Sequence, residues 1–434
     1  MASGPSSVGI ELEFIIGLKV GDRPLDKPRM FQNSPGSPII IEPTDDTQDI
    51  IRMRVKEVIE AAVEGHKGDR VVTSAKEVDE VEGDVNAFHL KKYMEWGVIR
   101  DVTVTVPDHI VREDPIMDEY IWEDVEVYTP ALFATDKSWA EIHRVVTALN
   151  KNFWIIVPES AGLHVHYGRG KQWISPSHFR NLAAFLYAAD PILAQMHPEH
   201  RRGLDNFWCE SNRLYSVLAH GATGEEASQV LKSESRGFHS ALIQLTSLEA
   251  PGSESELPPP QVIPSGKSAR DFVSIFRRGS LEGYTTFSEL RFLATIPSFM
   301  RRGQIPLMFT SEEGESNEPL GIVNASQELF STAHPSVISY LMSLSSASRL
   351  AYNFNAYKHT TYKVVETDGA RNVICESQPK RTVEFRQPAG TMNPEEVVAH
   401  GKVVVRICDI AANKSTEDLW KLILDFAQGE THGS

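Results

Sequence analysis

Cysteine is scarce in this chain, with Cys209, Cys375 and Cys408 alone among 434 residues and no Cys-x-x-Cys pair. An odd, widely spaced set excludes a disulfide framework and a zinc–thiolate site, and it predicts a reducing compartment. Basic charge is also short: 43 Lys and Arg stand against 59 Asp and Glu, a formal net charge of −16. Nucleic-acid and anionic-membrane partners need a basic surface, so neither is expected. No apolar run reaches membrane-spanning length, and the opening Met1-Ala2-Ser3-Gly4-Pro5-Ser6-Ser7 has neither a basic start nor the apolar core of a leader. A cytoplasmic protein is the expectation. Two nucleotide signatures are missing too. Ser265-Gly266-Lys267-Ser268 lacks the leading glycine of a phosphate loop, where Gln261 stands, and Gly168-Arg169-Gly170 lacks the third glycine of a dinucleotide fingerprint.

What is present is a globular composition, 41% hydrophobic and 24% charged, with enough length to bury a large core. The most informative stretch is residues 8–14, which contains Glu11-Leu12-Glu13. A strand alternates faces, so Ile10, Leu12 and Phe14 turn one way and both carboxylates the other. Paired carboxylates repel unless a cation sits between them, and oxygen ligands suit magnesium or manganese. A solvated edge strand is the alternative for one such pair taken alone. Repetition weighs against it: His164-Val165-His166 lies between Gly162 and Gly168, and Glu384-Phe385-Arg386 follows Thr382-Val383. In one sheet these would give a face of carboxylates, imidazoles and a guanidinium, suited to metal and phosphate. Glu289-Leu290-Arg291 echoes the last motif, but no Gly-Thr turn follows it.

Between these motifs, residues 21–47 read as a long Pro-, Asp- and Gly-rich loop, residues 49–63 as a helix and residues 68–86 as an acidic excursion away from the chemistry. Residues 93–107 have strand character with Asp101 at their centre, and residues 123–129 alternate so that Glu126 joins the polar face. The acidic run 113–124 reads as a solvated loop. Asp136 serves as a helix N-cap, Ser175-Pro176 opens another helix, and residues 336–354 read as helical. Arg201, Arg202, Asn212, Arg213 and Tyr215 form a cluster able to hold an anion, surface ion pairing being the other use of such arginines. The Pro-, Ser- and Glu-rich residues 248–265 form a loop or linker; Asn393-Pro394-Glu395-Glu396 opens a long helix, and Ser415 a final one.

Taken together and in this order, the motifs resemble the amidoligase family, a branch of the glutamine synthetase and glutamate-cysteine ligase superfamily of carboxylate–amine ligases. The matching residues are Gly9-Ile10-Glu11-Leu12-Glu13-Phe14, Trp96-x-Val98-x-x-Asp101-x-Thr103, Val125-Glu126-Val127-Tyr128-Thr129-Pro130, Gly162-Leu163-His164-Val165-His166-Tyr167-Gly168, Arg213-x-Tyr215, and Thr382-Val383-Glu384-Phe385-Arg386 with Gly390-Thr391. Thr103 and Thr129 stand where the family usually has serine, keeping the hydroxyl. The resemblance implies an α+β, glutamine synthetase-like catalytic fold: a curved antiparallel sheet forming a funnel, helices packed outside, one domain over residues 1–430 with insertions at about 21–90 and 248–320.

It also implies ATP and magnesium (or manganese) as cofactors. Glu11, His164 and Glu384 would hold one ion and Glu13 with Glu126 another. His166 would reach a phosphate oxygen, Arg386 would stabilise the transferring phosphoryl group, and Arg213 belongs to the same anion-binding machinery. Asp101 would either complete the second metal site or bind the incoming amine. The partners are then a small-molecule carboxylic acid and an amine, with oligomeric state open. Two rivals stay open: a metal-dependent hydrolase built on the His-x-His pair, and a nucleotide-binding protein without turnover.

Overall fold

A computed structural model describes residues 5–22, 25–43, 46–77, 91–202, 206, 208–231, 320–332, 334–343, 349–357, 361–367, 370–376 and 381–432. Glu289, Arg291 and nearly all of the 248–320 insertion lie outside the described residues.

The fold is mixed α and β around a large antiparallel sheet with packed helices. Its strands in chain order are β1 (Ser7–Val20), β2 (Ile39–Ile41), β3 (Gly97–Ile99), β4 (Ile121–Tyr128), β5 (Leu132–Phe133), β6 (Ile155–Ile156), β7 (Leu163–Gly168), β8 (Tyr352–Asn353), β9 (Thr361–Thr367), β10 (Ala370–Glu376) and β11 (Val383–Phe385). Among the described residues, nine form one sheet with the path β3-β4-β1-β7-β11-β8, while β2, β5 and β6 also pair with β1 and β9–β10 form a separate hairpin. Only β2 runs parallel to β1.

Among the described residues β1 pairs with five strands, β2, β4, β5, β6 and β7, because its apolar run does not stop at Phe14. Ile15, Ile16 and Leu18 are all buried, Ile15 against Phe31, Trp154 and Ile156 on the face opposite the main core. With both faces covered the strand extends to Val20 instead of ending where the alternation ends. On the main side Ile10, Leu12, Phe14, Val125, Val127, Val165, Tyr167, Val383 and Phe385 join one core with the helices. Each fully buried large side chain there contributes about 1.5–3 kcal/mol.

The Pro394–Asn413 helix lies against this face. Gly401 makes the approach possible, since a Cβ there would sit 2.7 Å from the Trp139 ring and 3.3 Å from Ile10 Cδ1. Its N-terminus is built as the sequence predicts, with the Asn393 side chain accepting from the Glu395 and Glu396 N–H groups. The Asp136–Asn152 helix differs in detail: its cap is Thr135, whose side chain accepts from the Ser138 N–H, and Asp136 is the first helical residue.

Other local readings are corrected by the long-range structure. Residues 21–47 contain a turn of 3-10 helix, Arg29–Phe31, and the strand β2 that pairs with β1. Strand character after Tyr93 is confined to Gly97–Ile99, so Asp101 follows a strand rather than centring one. The acidic run contains the 3-10 turn Pro115–Glu119 and leads directly into β4. Residues 336–354 divide into the Pro335–Leu341 helix and β8.

The segment 68–77 does not wander. Arg70 donates to both oxygens of Glu141 at 2.9 and 2.8 Å, Trp96 Nε1 adds a bond at 2.7 Å, and the Gly68 N–H also donates to this fully buried carboxylate. Val71 and Val72 are thereby held beside β1. Among the described residues no helix is long and apolar enough to cross a membrane.

Candidate metal and phosphate site

Register assembles the site. β1 pairs with β7 so that Glu11 faces His164 and Gly9 faces His166, and with β4 so that Glu13 faces Glu126. β11 then pairs with β7 so that Glu384 faces His166. Because side chains alternate, Glu11, Glu13, Glu126, His164, His166, Glu384 and Arg386 all stand on the sheet face opposite the aliphatic core.

They form two adjoining groups. Glu11, His166 and Glu384 each offer one ligand atom, all within 4.8 Å of one another, and Glu13, Asp101 and Glu126 do the same. In the first, His166 Nε2 is 3.0 Å from Glu11 Oε1, and Thr382 Oγ1 lies 3.3 Å from the other ring nitrogen. The resemblance implied His164 with Glu11 and Glu384; its Nδ1 lies 3.2 Å from Glu11 Oε2 and 3.6 Å from Glu384 Oε1, and also 3.4 Å from Glu13 Oε1, so it borders both groups. His166 closes the first group because Glu384 sits opposite it in the ladder.

In the second group Asp101 is oriented by Thr103, whose N–H and hydroxyl donate to Oδ1 at 2.9 and 2.7 Å. This local turn ends β3 and frees the other carboxylate oxygen. Two carboxylates with an imidazole in the first group and three carboxylates in the second, gathered this closely, suit a hard divalent cation such as magnesium or manganese.

Burial sets the electrostatics. Glu11, Glu13, His164 and His166 are each less than a tenth exposed. Burial pushes the Glu13 carboxyl up, His164 opposes this, and the neighbouring Asp101 charge adds to it. Glu384 goes the other way: burial acts to raise it, but the Arg386 guanidinium and the two imidazoles hold it below the usual carboxylate range. Arg386 Nη1 donates to Glu384 Oε1 at 2.6 Å, and Asn353 Nδ2 donates to Oε2 at 2.7 Å.

Arg213 is 2% exposed, its backbone N–H donates to Asp190 Oδ2 at 3.4 Å, and its charge acts on that buried carboxyl. Neither cation-sized group contains it. Sequence reasoning left out Asn353, which steadies Glu384, and named Arg201 only within an arginine cluster; it is 1% exposed and its Nη2 donates to the Arg386 carbonyl at 2.6 Å. For Arg201 the signal was the arginine cluster itself; nothing local marked Asn353.

Next to the first group a pocket of about 80 Å³ is walled by Val71, Val72, Tyr93, Tyr128, Pro130 and Ala131, with Lys171, Arg381, Glu11 and His166 also lining it.

Residues 5–219 match the family model described as "Putative amidoligase enzyme". No curated protein and no solved structure matches the chain significantly. The matched stretch carries Glu11, Glu13, Asp101, Glu126, His164 and His166, while Glu384 and Arg386 reach the same sheet from beyond its end.

Proposed function

We propose that this chain, a member of the putative amidoligase family through residues 5–219, is an ATP-dependent carboxylate–amine ligase working through an acyl phosphate. The observation that carries this reading is the adjacency of two cation-sized acidic groups with Arg386 hydrogen-bonded to a member of the first. Such a surface neutralises and orients a polyphosphate. It offers no nucleophile, and phosphoryl transfer needs none.

Glu11, His166 and Glu384 would hold one divalent cation, and Glu13, Asp101 and Glu126 a second. Bound there, magnesium or manganese supplies charge neutralisation on phosphate oxygens. His164 donates between the two groups and keeps their carboxylates apart at fixed spacing. The apolar pocket beside Glu11 and His166 would receive the face of the nucleotide's base, with the phosphates running toward Arg386.

The substrate carboxylate oxygen attacks the terminal phosphorus, and ADP leaves with the bridging oxygen. Arg386 donates to the transferring oxygens. The amine then attacks the acyl carbon, phosphate departs, and the amine proton passes to a carboxylate at the Asp101 end. Holding both partners on one rigid sheet face accounts for much of the rate, since orientation replaces a collision of three species. The same reading takes the antiparallel sheet as the funnel of a glutamine synthetase-like fold and the acid and amine as small molecules.

Calorimetric titration of metal-stripped protein with ATP, with and without magnesium, tests it. Saturable binding that needs magnesium and is lost in Glu11→Ala is the expected result. ATP binding indifferent to magnesium, or no ADP released with any mixture of acids and amines, overturns it.

A further inference from the structure

Arg201 has no assigned role, yet its position is costly. It ends the 3-10 turn Glu199–Arg201 and is 1% exposed. Nη2 donates to the Arg386 carbonyl at 2.6 Å and Nε to the Gln387 carbonyl at 3.3 Å, but the buried Nη1 has no hydrogen-bond partner among the described residues. The Arg386 Nε is a second buried donor without one. A guanidinium cannot shed its charge, so an open N–H on a buried one costs more than on a neutral group.

The surroundings show what would relieve it. Burial bears on Arg201 most, followed by the Cys209 thiol, Glu13 and Arg386, and the last two belong to the site. A Cβ built on Gly162 would lie 2.7 Å from His164 Nε2 and 3.1 Å from Arg201 Nη2, which puts the guanidinium beside the imidazole that links the two acidic groups. The backbone of Arg201 is fixed in turn: Cys209 Sγ donates to its carbonyl at 3.2 Å, and Asn206 Nδ2 approaches Cys209 Sγ at 2.8 Å. Among the described residues neither Arg201 Nη1 nor Arg386 Nε meets an acceptor, and an anion that reached both would satisfy them together.

We infer that Arg201 and Arg386 form a paired clamp for a phosphoryl oxyanion, with Arg201 Nη1 and Arg386 Nε as the donors that complete it. This rests on the phosphoryl-transfer reading for its place in a reaction, though the binding itself can be measured without it. Arg201 then touches the phosphoryl group directly, on the Glu13 side, while Arg386 holds it from the Glu384 side.

The test uses the full chain in magnesium buffer titrated with inorganic phosphate, comparing the unaltered protein with Arg201→Met, Arg201→Lys and, as a charge control, the exposed-site variant Arg112→Met. Losing one charged donor should weaken phosphate binding by about tenfold or more in Arg201→Met, less in Arg201→Lys, and not at all in Arg112→Met. If Arg201→Met does not fold, Arg201→Lys carries the test, because it keeps the charge and loses the fork. No phosphate binding by the unaltered protein overturns the clamp. So does equal affinity in folded Arg201 variants, even with a lowered melting temperature, since that is what a purely structural arginine gives. Magnesium–ATP titrated in parallel separates the two readings: phosphate binding that depends on Arg201 without any ATP binding keeps the clamp and sinks the ligase.

Discussion

Glu13 and Gly162 hold each other twice: the Gly162 N–H donates to Glu13 Oε2 at 2.6 Å, and the Glu13 N–H donates to the Gly162 carbonyl at 3.3 Å. The glycine is required by crowding, because a methyl there would meet both His164 and Arg201. Gly162→Ala should therefore displace the linking imidazole and loosen Glu13 while the core on the other face stays intact. Overpacking of this kind costs about 1–3 kcal/mol in stability. Urea unfolding should show that loss, and manganese titration followed by paramagnetic resonance should show weaker binding. Manganese affinity identical to that of the unaltered protein would mean that Gly162 shapes the loop and not the site.

Glu384 neutralises Arg386 and faces His166, so its charge serves two purposes. Replacing only the charge, in Glu384→Gln, keeps the volume but removes a cation ligand and the partner of a mostly buried guanidinium. Loss of a buried partner costs about 3–5 kcal/mol. We expect magnesium-dependent ATP binding and ADP release to fall together, with reduced thermal stability. Normal ADP release by the folded variant would remove Glu384 from the metal role.

How far the sequence disclosed this site depends on which interaction fixed each residue. Glu11, Glu13, His164 and His166 were legible because the two-residue period of a strand is local, and buried aliphatic residues on the alternate positions gave it away. The choice between His164 and His166 was not, since it depends on the register of β7 against β11, whose residues lie far apart in the chain. Asp101 was identified but put inside a strand; the turn made by Thr103 interrupts the pairing, and alternation alone does not reveal it. Arg201 and Arg213 looked alike in sequence and were separated only by folding, one onto the Arg386 carbonyl and the other onto Asp190. The length of β1 was missed for the opposite reason: Ile15 and Ile16 are buried on both faces, so the alternating signal disappears where the strand is best protected.

Crowded carboxylates make a prediction about metal removal. Without a cation, Glu13, Asp101 and Glu126 repel one another, and burial adds to the penalty at Glu13. Divalent cations should stabilise the fold, by about 2.7 kcal/mol at a hundredfold excess over the dissociation constant. Glu13→Gln should reverse the ranking, being more stable than the unaltered protein in chelator and less stable in magnesium. Melting curves in chelator, magnesium and manganese would check this. A variant ranked below the unaltered protein in all three conditions would show that the carboxylate is there for its hydrogen bond to Gly162 rather than for a cation.

Glu210 gives a pH dependence remote from the cation groups. Its backbone forms an isolated bridge to Leu350 just ahead of β8, the Ala351 N–H donating to its carbonyl at 2.7 Å, and burial pushes its carboxyl up to about 7 while Arg349 partly offsets this. The unfolded chain releases that proton near the ordinary value of 4.5. Between the two values the folded state holds more protons than the unfolded state, so stability falls as pH rises through this window and levels off above it. Glu210→Gln removes the titration. The variant should match the unaltered protein at about pH 4 and exceed it in urea midpoint at about pH 8, with the difference growing between those limits. A gap that stays constant across the range would assign the effect to packing, and a gap that widens toward acid would mean that Arg349 holds Glu210 ionised.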